Sequence, residues 1–315
     1  MTDNRHALRP VSQGQKLPNG DGIYLGDTTV VERGVRVQRV VFDKDGHYAE
    51  GIVVVLDPRS VNAALAVRAD IATASSPVTF HTAKSLRDFL QNDLPPAARE
   101  QLVLATAAPH LQFYFPNTAV IENGVVVTMA TEEGIVLNGR YYFLVVHGSQ
   151  PGMQAIDFTD GACNTDLSSI ELAISGPVLV EDGDNVTSRI REFTGDDIRT
   201  IRPDEVMWNP KTRDAAFSGL GYDTEGNIVF ATLAGDPVKR PEMLIGEFAE
   251  VMRAAGAWNA ISINGSGDAQ VYCEGALTEA KSGATTKRGA FQQGRSLSSI
   301  IYFTRTQNPP RAFKP

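Results

Sequence analysis

Apolar and polar positions divide the chain into many short β-type runs and a few helical ones. Val35 to Val41 alternates apolar and polar residues, and Gly51 to Leu56 is a continuous apolar run closed by Asp57-Pro58. Asp43-Lys44-Asp45-Gly46 between them has hairpin-turn chemistry. Val61 to Ala69, Leu102 to Ala107 and Tyr141 to His147 read as further strands, and Ala119 to Met129 as a hairpin around Glu122-Asn123-Gly124. Later come two more strands, Asn227 to Leu233 and Trp258 to Ile263, the second with apolar groups at 258, 261 and 263. A helix is expected between them. Pro241 fits its first position, Leu244, Phe248, Val251, Met252 and Ala255 share one face, and Gly256 fits its end. Thr82–Gln91 and Ala97–Gln101 are two shorter helix candidates. The predicted fold class is α+β, a mixed β-sheet core covered by a few helices, with residues 227–235 and 258–263 as neighbouring inner strands. The helical connection is long enough for a crossover, which allows these two strands to run parallel.

The pattern also sets the domain limits. Residues 1–20 form a polar arm with Pro10, Gly14 and Pro18-Asn19-Gly20; residues 21–306 read as one domain; residues 307–315 are a tail. Asp184 to Pro203 is charged and reads as a solvated loop or a lid, and Gly275 to Gly294 as a long polar loop.

Composition narrows the function classes. The formal charge of −8 over 315 residues argues against a nucleic-acid surface. No apolar run approaches a membrane span. Met1 to His6 lacks an apolar leader core, so a cytoplasmic location is expected. Cys163 and Cys273 are the only cysteines and are expected to be free thiols. Their surroundings, and five scattered histidines, offer no metal-ligand spacing, so neither a metal nor another cofactor is expected. Walker, dinucleotide-binding and nucleophile-elbow signatures are missing.

The stretch richest in candidate chemistry is Ala260-Ile261-Ser262-Ile263-Asn264-Gly265-Ser266-Gly267-Asp268. A buried strand opens there into a loop carrying amide, hydroxyl and carboxylate groups. Its glycines let the backbone turn sharply and come close to a ligand. The same pattern also describes an ordinary hairpin turn.

Residues 209–303 resemble the C-terminal half of the phosphodiester glycosidase family. The likeness is carried by Asn209-Pro210-Lys211-Thr212-Arg213, Gly221 to Ile228, Gly235-Asp236, Ala255-Gly256-Ala257, the 260–268 stretch and Arg295 to Ile300. Ala173 to Gly183, with Ser175-Gly176-Pro177 at its centre, is similar to a mid-chain family segment, and Val55-Leu56-Asp57-Pro58 to an early strand edge. The family pattern of Asn, Asp, a third Gly and Ser appears here as Ser262, Asn264, Ser266 and Asp268. The family's Asn-Gly-Gly-Phe-Phe segment is replaced by a run containing His110, Gln112 and aromatics.

The resemblance implies a hydrolase acting on a glycosyl phosphodiester or a related sugar-phosphate conjugate. In such a substrate the leaving group is a phosphate, which needs less general-acid help than a sugar alkoxide. The site needs cations or amide donors for the phosphate and a water or carboxylate at the anomeric carbon. Candidate catalytic residues are Asp268, Asn264 and Asp236. Candidate substrate-binding residues are Arg213, Lys211, Arg295, Ser262, Gly265, Ser266, Gly267 and His110. Arg grips a phosphate bidentately, though Lys211, Arg213 and Arg295 each fit a surface ion pair as well, and His110 fits a loop or core position. An amide at 264 cannot take a proton as a carboxylate does. That leaves three readings open: an active hydrolase, a sugar-phosphate-binding protein, or a scaffold on the same fold. The expected partner is a small-molecule or glycan substrate carrying phosphate; the oligomeric state stays open.

Overall fold

The structure is a computed structural model. It describes residues 22–32, 34–67, 86, 90, 92, 94–108, 120–127, 139–147, 150–159, 162–163, 165–192, 206–207, 216–235, 243–265, 269, 271–273 and 299–306. In chain order the first strands are β1 (Ile23–Leu25), β2 (Thr29–Glu32), β3 (Val35–Lys44), β4 (His47–Leu56) and β5 (Val61–Val67). Helix α1 (Pro96–Glu100) leads into β6 (Leu102–Ala107), β7 (Val120–Glu122), β8 (Val125–Val127), β9 (Gly139–His147), β10 (Gln150–Thr159) and β11 (Ala162–Cys163). Then follow β12 (Leu172–Ser175), β13 (Val178–Glu181), β14 (Asp184–Asn185), β15 (Arg191–Glu192) and β16 (Val206–Met207). The chain continues with β17 (Ala216–Tyr222), β18 (Ile228–Gly235), helix α2 (Ile245–Ala254), β19 (Asn259–Gly265), β20 (Val271–Cys273) and β21 (Ser299–Arg305).

Among the described residues three larger sheets carry the fold, beside a two-stranded parallel pair of β15 and β16. A nine-stranded sheet runs β1-β3-β4-β18-β17-β19-β13-β14, with β2 beside β3. A six-stranded sheet runs β11-β10-β9-β12-β7-β8, and a four-stranded sheet β20-β6-β21-β5. The architecture is therefore mostly β, and the α+β expectation holds only in that helices do cover part of the sheet. The strands 227–235 and 258–263 are inner strands, as expected, but they are not neighbours. β17 lies between them and pairs antiparallel with both. β18 and β19 point the same way only because β17 separates them. Strand β17, whose Ser218-Gly219-Leu220-Gly221 run carries two glycines, has too weak an alternation to be picked out from the sequence.

The two faces of the nine-stranded sheet bury different cores. On one face, Val54, Leu56, Leu220, Phe230, Ile261 and Ile263 pack with Leu144 and Ile174 of the six-stranded sheet and Leu104 and Phe303 of the four-stranded sheet. On the other, Val53, Val229, Leu233, Phe217 and Ala260 pack against Ile245, Phe248, Ala249, Val251 and Met252 of α2. Phe217 stacks on Phe248 with ring centroids 5.4 Å apart.

Helix α2 begins four residues later than its proline suggested. Leu244 is its N-cap, and the Glu247 carboxylate reaches back to accept the Leu244 N–H at 2.8 Å, satisfying an otherwise unpaired donor. Gly256 ends it as expected. With φ of 95° it donates to Arg253 O, while Ala257 donates to Met252 O, the paired bonds of a Schellman motif.

Three hairpins turn on Asp45-Gly46, Asn123-Gly124 and Asp182-Gly183, each with both residues at positive φ. That is the twist-compatible geometry for a two-residue turn. The expected loop or lid at 184–203 is, over 184–192, regular structure that includes β14 and a 3-10 turn at Thr187–Arg189. The helix expected at 82–91 and the arm and tail lie wholly or mostly outside the described residues. Neither cysteine is in a disulfide, and Cys273 is buried. Among the described residues no helix is long and apolar enough to cross a membrane.

Candidate active site

The sequence candidates attach to two sheet ends that a short connection joins. At one end of the nine-stranded sheet β17 begins while β18 and β19 end: Ala216 pairs with Ala234, and Phe217 with both Leu233 and Gly265. The segment carrying Lys211 and Arg213 enters at this end, the one carrying Asp236 leaves from it, and Ser266-Gly267-Asp268 follows directly on Gly265. In the four-stranded sheet, β6 ends at Ala107, opposite Ile300 near the start of β21, and Thr106 faces Val271 at the start of β20. The segment with His110 leaves from that end, and the one with Arg295 enters there. Residues 266–270 are the whole connection from β19 to β20, so they join the two ends. Ala269 is fully buried against Ala216 and Ala234, which pins this connection to the first sheet end.

Asp268, Ser266, Gly267, Asp236, Lys211, Arg213, Arg295 and His110 themselves lie outside the described residues. The backbone of Asn264 and Gly265 completes β19. The strand bulges just before it: Ser262 pairs with Gly219 and Asn264 with Ser218, leaving Ile263 as the extra residue. A bulge beside a strand end re-aims the residues that follow it. Ser262 is buried. It shares a face with Gly219, where an added Cβ would press on Phe248 and Met252, so it sits on the helix side of the sheet.

The sheet also supplies polar groups that the sequence did not single out. Ser218 Oγ donates to Thr232 Oγ1 at 2.9 Å, and both residues are fully buried. Thr232, Ser218 and Asn264 occupy one row across β18, β17 and β19. Two residues further along, Glu50 is the Cα partner of Ala234. Its carboxylate pairs with the Arg39 guanidinium and accepts from Tyr48 Oη at 3.2 Å. Glu50 stands three strands from β19, about 14 Å at normal strand spacing. That places it at the rim of this sheet end, near the strand that delivers Asp236. These groups became legible only through strand pairing, since serine, threonine and a lone glutamate carry no sequence signal of a site.

The Ser175-Gly176-Pro177 segment closes the other side. Pro177 O accepts the Ser262 N–H at 2.9 Å, and a Cβ on Gly176 would stand 2.1 Å from Ser262 O. Glycine is required there because the crossing from the six-stranded sheet to the nine-stranded sheet touches the backbone of β19.

A sequence comparison matches residues 116–304 to the phosphodiester glycosidase family. The chain belongs to that family. The match contains the crossing segment, β17, β18, β19 and the connection to β20. No curated protein sequence matches the chain significantly. Among solved structures, it is similar to the zebrafish N-acetylglucosamine-1-phosphodiester α-N-acetylglucosaminidase catalytic domain auto-inhibited by its pro-peptide. The TM-score is 0.58 at 12% identity, covering 90% of this chain and 88% of that one. A hypothetical protein from Synechocystis gives a TM-score of 0.49 at 14% identity, covering 91% of this chain and 65% of that one. The structural likeness shows the fold; the family rests on the sequence match.

Proposed function

We propose that the chain hydrolyses a glycosyl phosphodiester at the joined sheet ends. The observation that carries the reading is topological. Every segment with a candidate polar residue attaches at one of these two ends, and the 266–270 connection runs between them. Family membership supplies the reaction class.

In this reading Lys211, Arg213 and Arg295 hold the phosphate, with Ser266 and the glycines of the loop bringing donors close to the sugar. Water attacks the anomeric carbon, Asp268 takes its proton, and the bond from that carbon to the phosphate oxygen breaks. The electron pair leaves with a phosphomonoester, which is a stable anion at neutral pH. Asn264 orients a sugar hydroxyl or the water through its amide. Asp236 provides the second carboxylate at the rim.

A second reading is favoured by Asn264 alone, which stands where the family pattern has aspartate. Without Asp268 acting as base, the same site binds sugar phosphates and does not turn them over.

The two readings separate on three variants. If Asp268 is the base, the native chain turns over a glycosyl phosphodiester, Asp268→Asn lowers kcat by 100-fold or more, and Asn264→Asp is neutral or harmful through carboxylate repulsion. If the chain only binds, the native protein is inactive and Asn264→Asp creates activity. Arg295→Ala weakens a phosphorylated sugar far more than the neutral sugar; equal losses would remove its phosphate role.

A further inference from the structure

An exposed tryptophan lies at the opposite end of β19. Trp258 immediately precedes the strand, about 20 Å along the backbone from Asn264. The sequence pattern marked Trp258 as part of a buried run, yet it is 41% exposed, while Ala260, Ile261 and Ile263 are buried. It is nonetheless fixed. Its N–H donates to Tyr222 O at 2.7 Å, and its carbonyl accepts the Gly183 N–H at 2.8 Å. A Cβ on Gly183 would lie 2.7 Å from the indole Cζ3, so the Asp182-Gly183 turn packs directly on the ring.

Beside the indole is a depression of about 290 Å³ lined by the Trp258 ring, by Glu250 and Arg253, and by small residues including Ala254, Gly256 and Ala257. The charged groups are held in place. Arg253 Nε donates to Gly183 O at 2.7 Å, and its Nη1 donates to Glu250 Oε2 at 2.7 Å. Glu250 Oε1 accepts from Asn185 Nδ2 at 2.7 Å. Asn185 is itself fixed by Gly246 O and Thr187.

We propose that this depression binds an uncharged pyranose ring of a glycan. An aromatic face takes the axial C–H face of a sugar, and the rigid polar edge offers both donors and acceptors to its hydroxyls. The volume is at the lower end for a small-molecule site, room for one ring and not for an extended ligand. Arg253 and Glu250 neutralise each other, so the site has no net charge to select a phosphate. A stable protein partner would bury about 800 Å² per side over roughly 20–30 residues, against the seven that line this depression. Among the described residues, the other exposed large hydrophobic ones, Val30 and Val125, sit on other strands, β2 and β8. The role is to hold a distant unit of a longer substrate while the far end of the sheet does the chemistry. That role rests on the proposed hydrolase reading; the binding itself does not.

The test is binding, read separately from turnover. Protein carrying ¹⁵N-tryptophan is titrated to millimolar concentration with trisaccharides of glucose (α1,4 and β1,4), N-acetylglucosamine, mannose and galactose. The two indole N–H signals are assigned with Trp258→Phe. At least one trisaccharide is expected to shift the Trp258 signal, Trp258→Ala to weaken its binding tenfold or more, and Trp258→Phe to retain part of it. Turnover of a glycosyl phosphodiester carrying a single sugar is expected to be unchanged in Trp258→Ala. No shift with any trisaccharide, or equal binding by Trp258→Ala, overturns the proposal whether or not the protein is a hydrolase.

Discussion

Gly176→Ala is the sharpest structural test of how the site is held. An alanine Cβ would stand 2.1 Å from Ser262 O, against an ordinary contact of about 3.4 Å. The neighbour is backbone, so no side chain can swing away. Either β19 or the crossing segment must retreat by more than an ångström. Overpacking of this kind costs about 1–3 kcal/mol, and losing the bond from Ser262 N–H to Pro177 O adds about 1 kcal/mol. The expected total is about 2–4 kcal/mol, which for a domain of this size lowers Tm by roughly 3–7 °C. Gly152→Ala is the control, because a Cβ there meets nothing within 4 Å; its effect should stay within about 0.5 kcal/mol. Urea unfolding followed by circular dichroism reads both variants through the midpoint, with the slope checked for constancy. Equal midpoints for Gly176→Ala and Gly152→Ala would refute the close approach, and with it the claim that the crossing segment buttresses the site.

Three further outcomes follow from the same geometry. Asn259 is buried, accepts the Asp182 N–H at 3.1 Å and donates to Tyr222 Oη at 2.9 Å, so Asn259→Leu should cost about 2–4 kcal/mol in urea unfolding; a loss below about 0.5 kcal/mol would contradict the bridge. Burial raises the Tyr222 and Tyr302 phenols, with Glu122 adding to the second, so the unfolded state gives up these protons first as pH rises. Their contribution is fully present below the unfolded value of about 10 and is lost above it; the urea midpoint should fall over that range, less steeply in Tyr302→Phe. A slope identical in wild type and variant would show Tyr302 uncoupled. Gly183→Ala forces an alanine to φ near 82° and presses on the Trp258 ring, so it should lose about 1–3 kcal/mol and shift tryptophan emission; unchanged emission would place the ring elsewhere.

Much of the fold was legible where the physics is local. Strands β3 and β4 and the turn at Asp45-Gly46 follow from alternation and from residues that tolerate positive φ. Helix α2 follows from one apolar face and Gly256, although Glu247, and not Pro241, sets its start. What failed depends on partners distant in sequence. Nothing in Asn227–Leu233 or Trp258–Ile263 tells that β17 inserts between them. Trp258 reads as core because it is large and apolar, while the Gly183 turn takes one side of it and leaves the other open. Asp268, Asn264 and the three cations are candidates through the resemblance alone; strand pairing adds only the sheet ends to which their segments attach. Ser218, Thr232 and Glu50 were not legible, because their significance lies in the row each occupies.

The reaction proposed for this chain breaks the bond from the anomeric carbon to a phosphate oxygen. The direct measurement is hydrolysis of a panel of glycosyl phosphodiesters in H₂¹⁸O, with mass spectrometry of the released phosphomonoester. Turnover that Asp268→Asn abolishes is expected, with a phosphomonoester free of ¹⁸O, because water enters at carbon. A labelled phosphomonoester would mean attack at phosphorus, and no turnover across the panel would mean that the site does not catalyse this reaction.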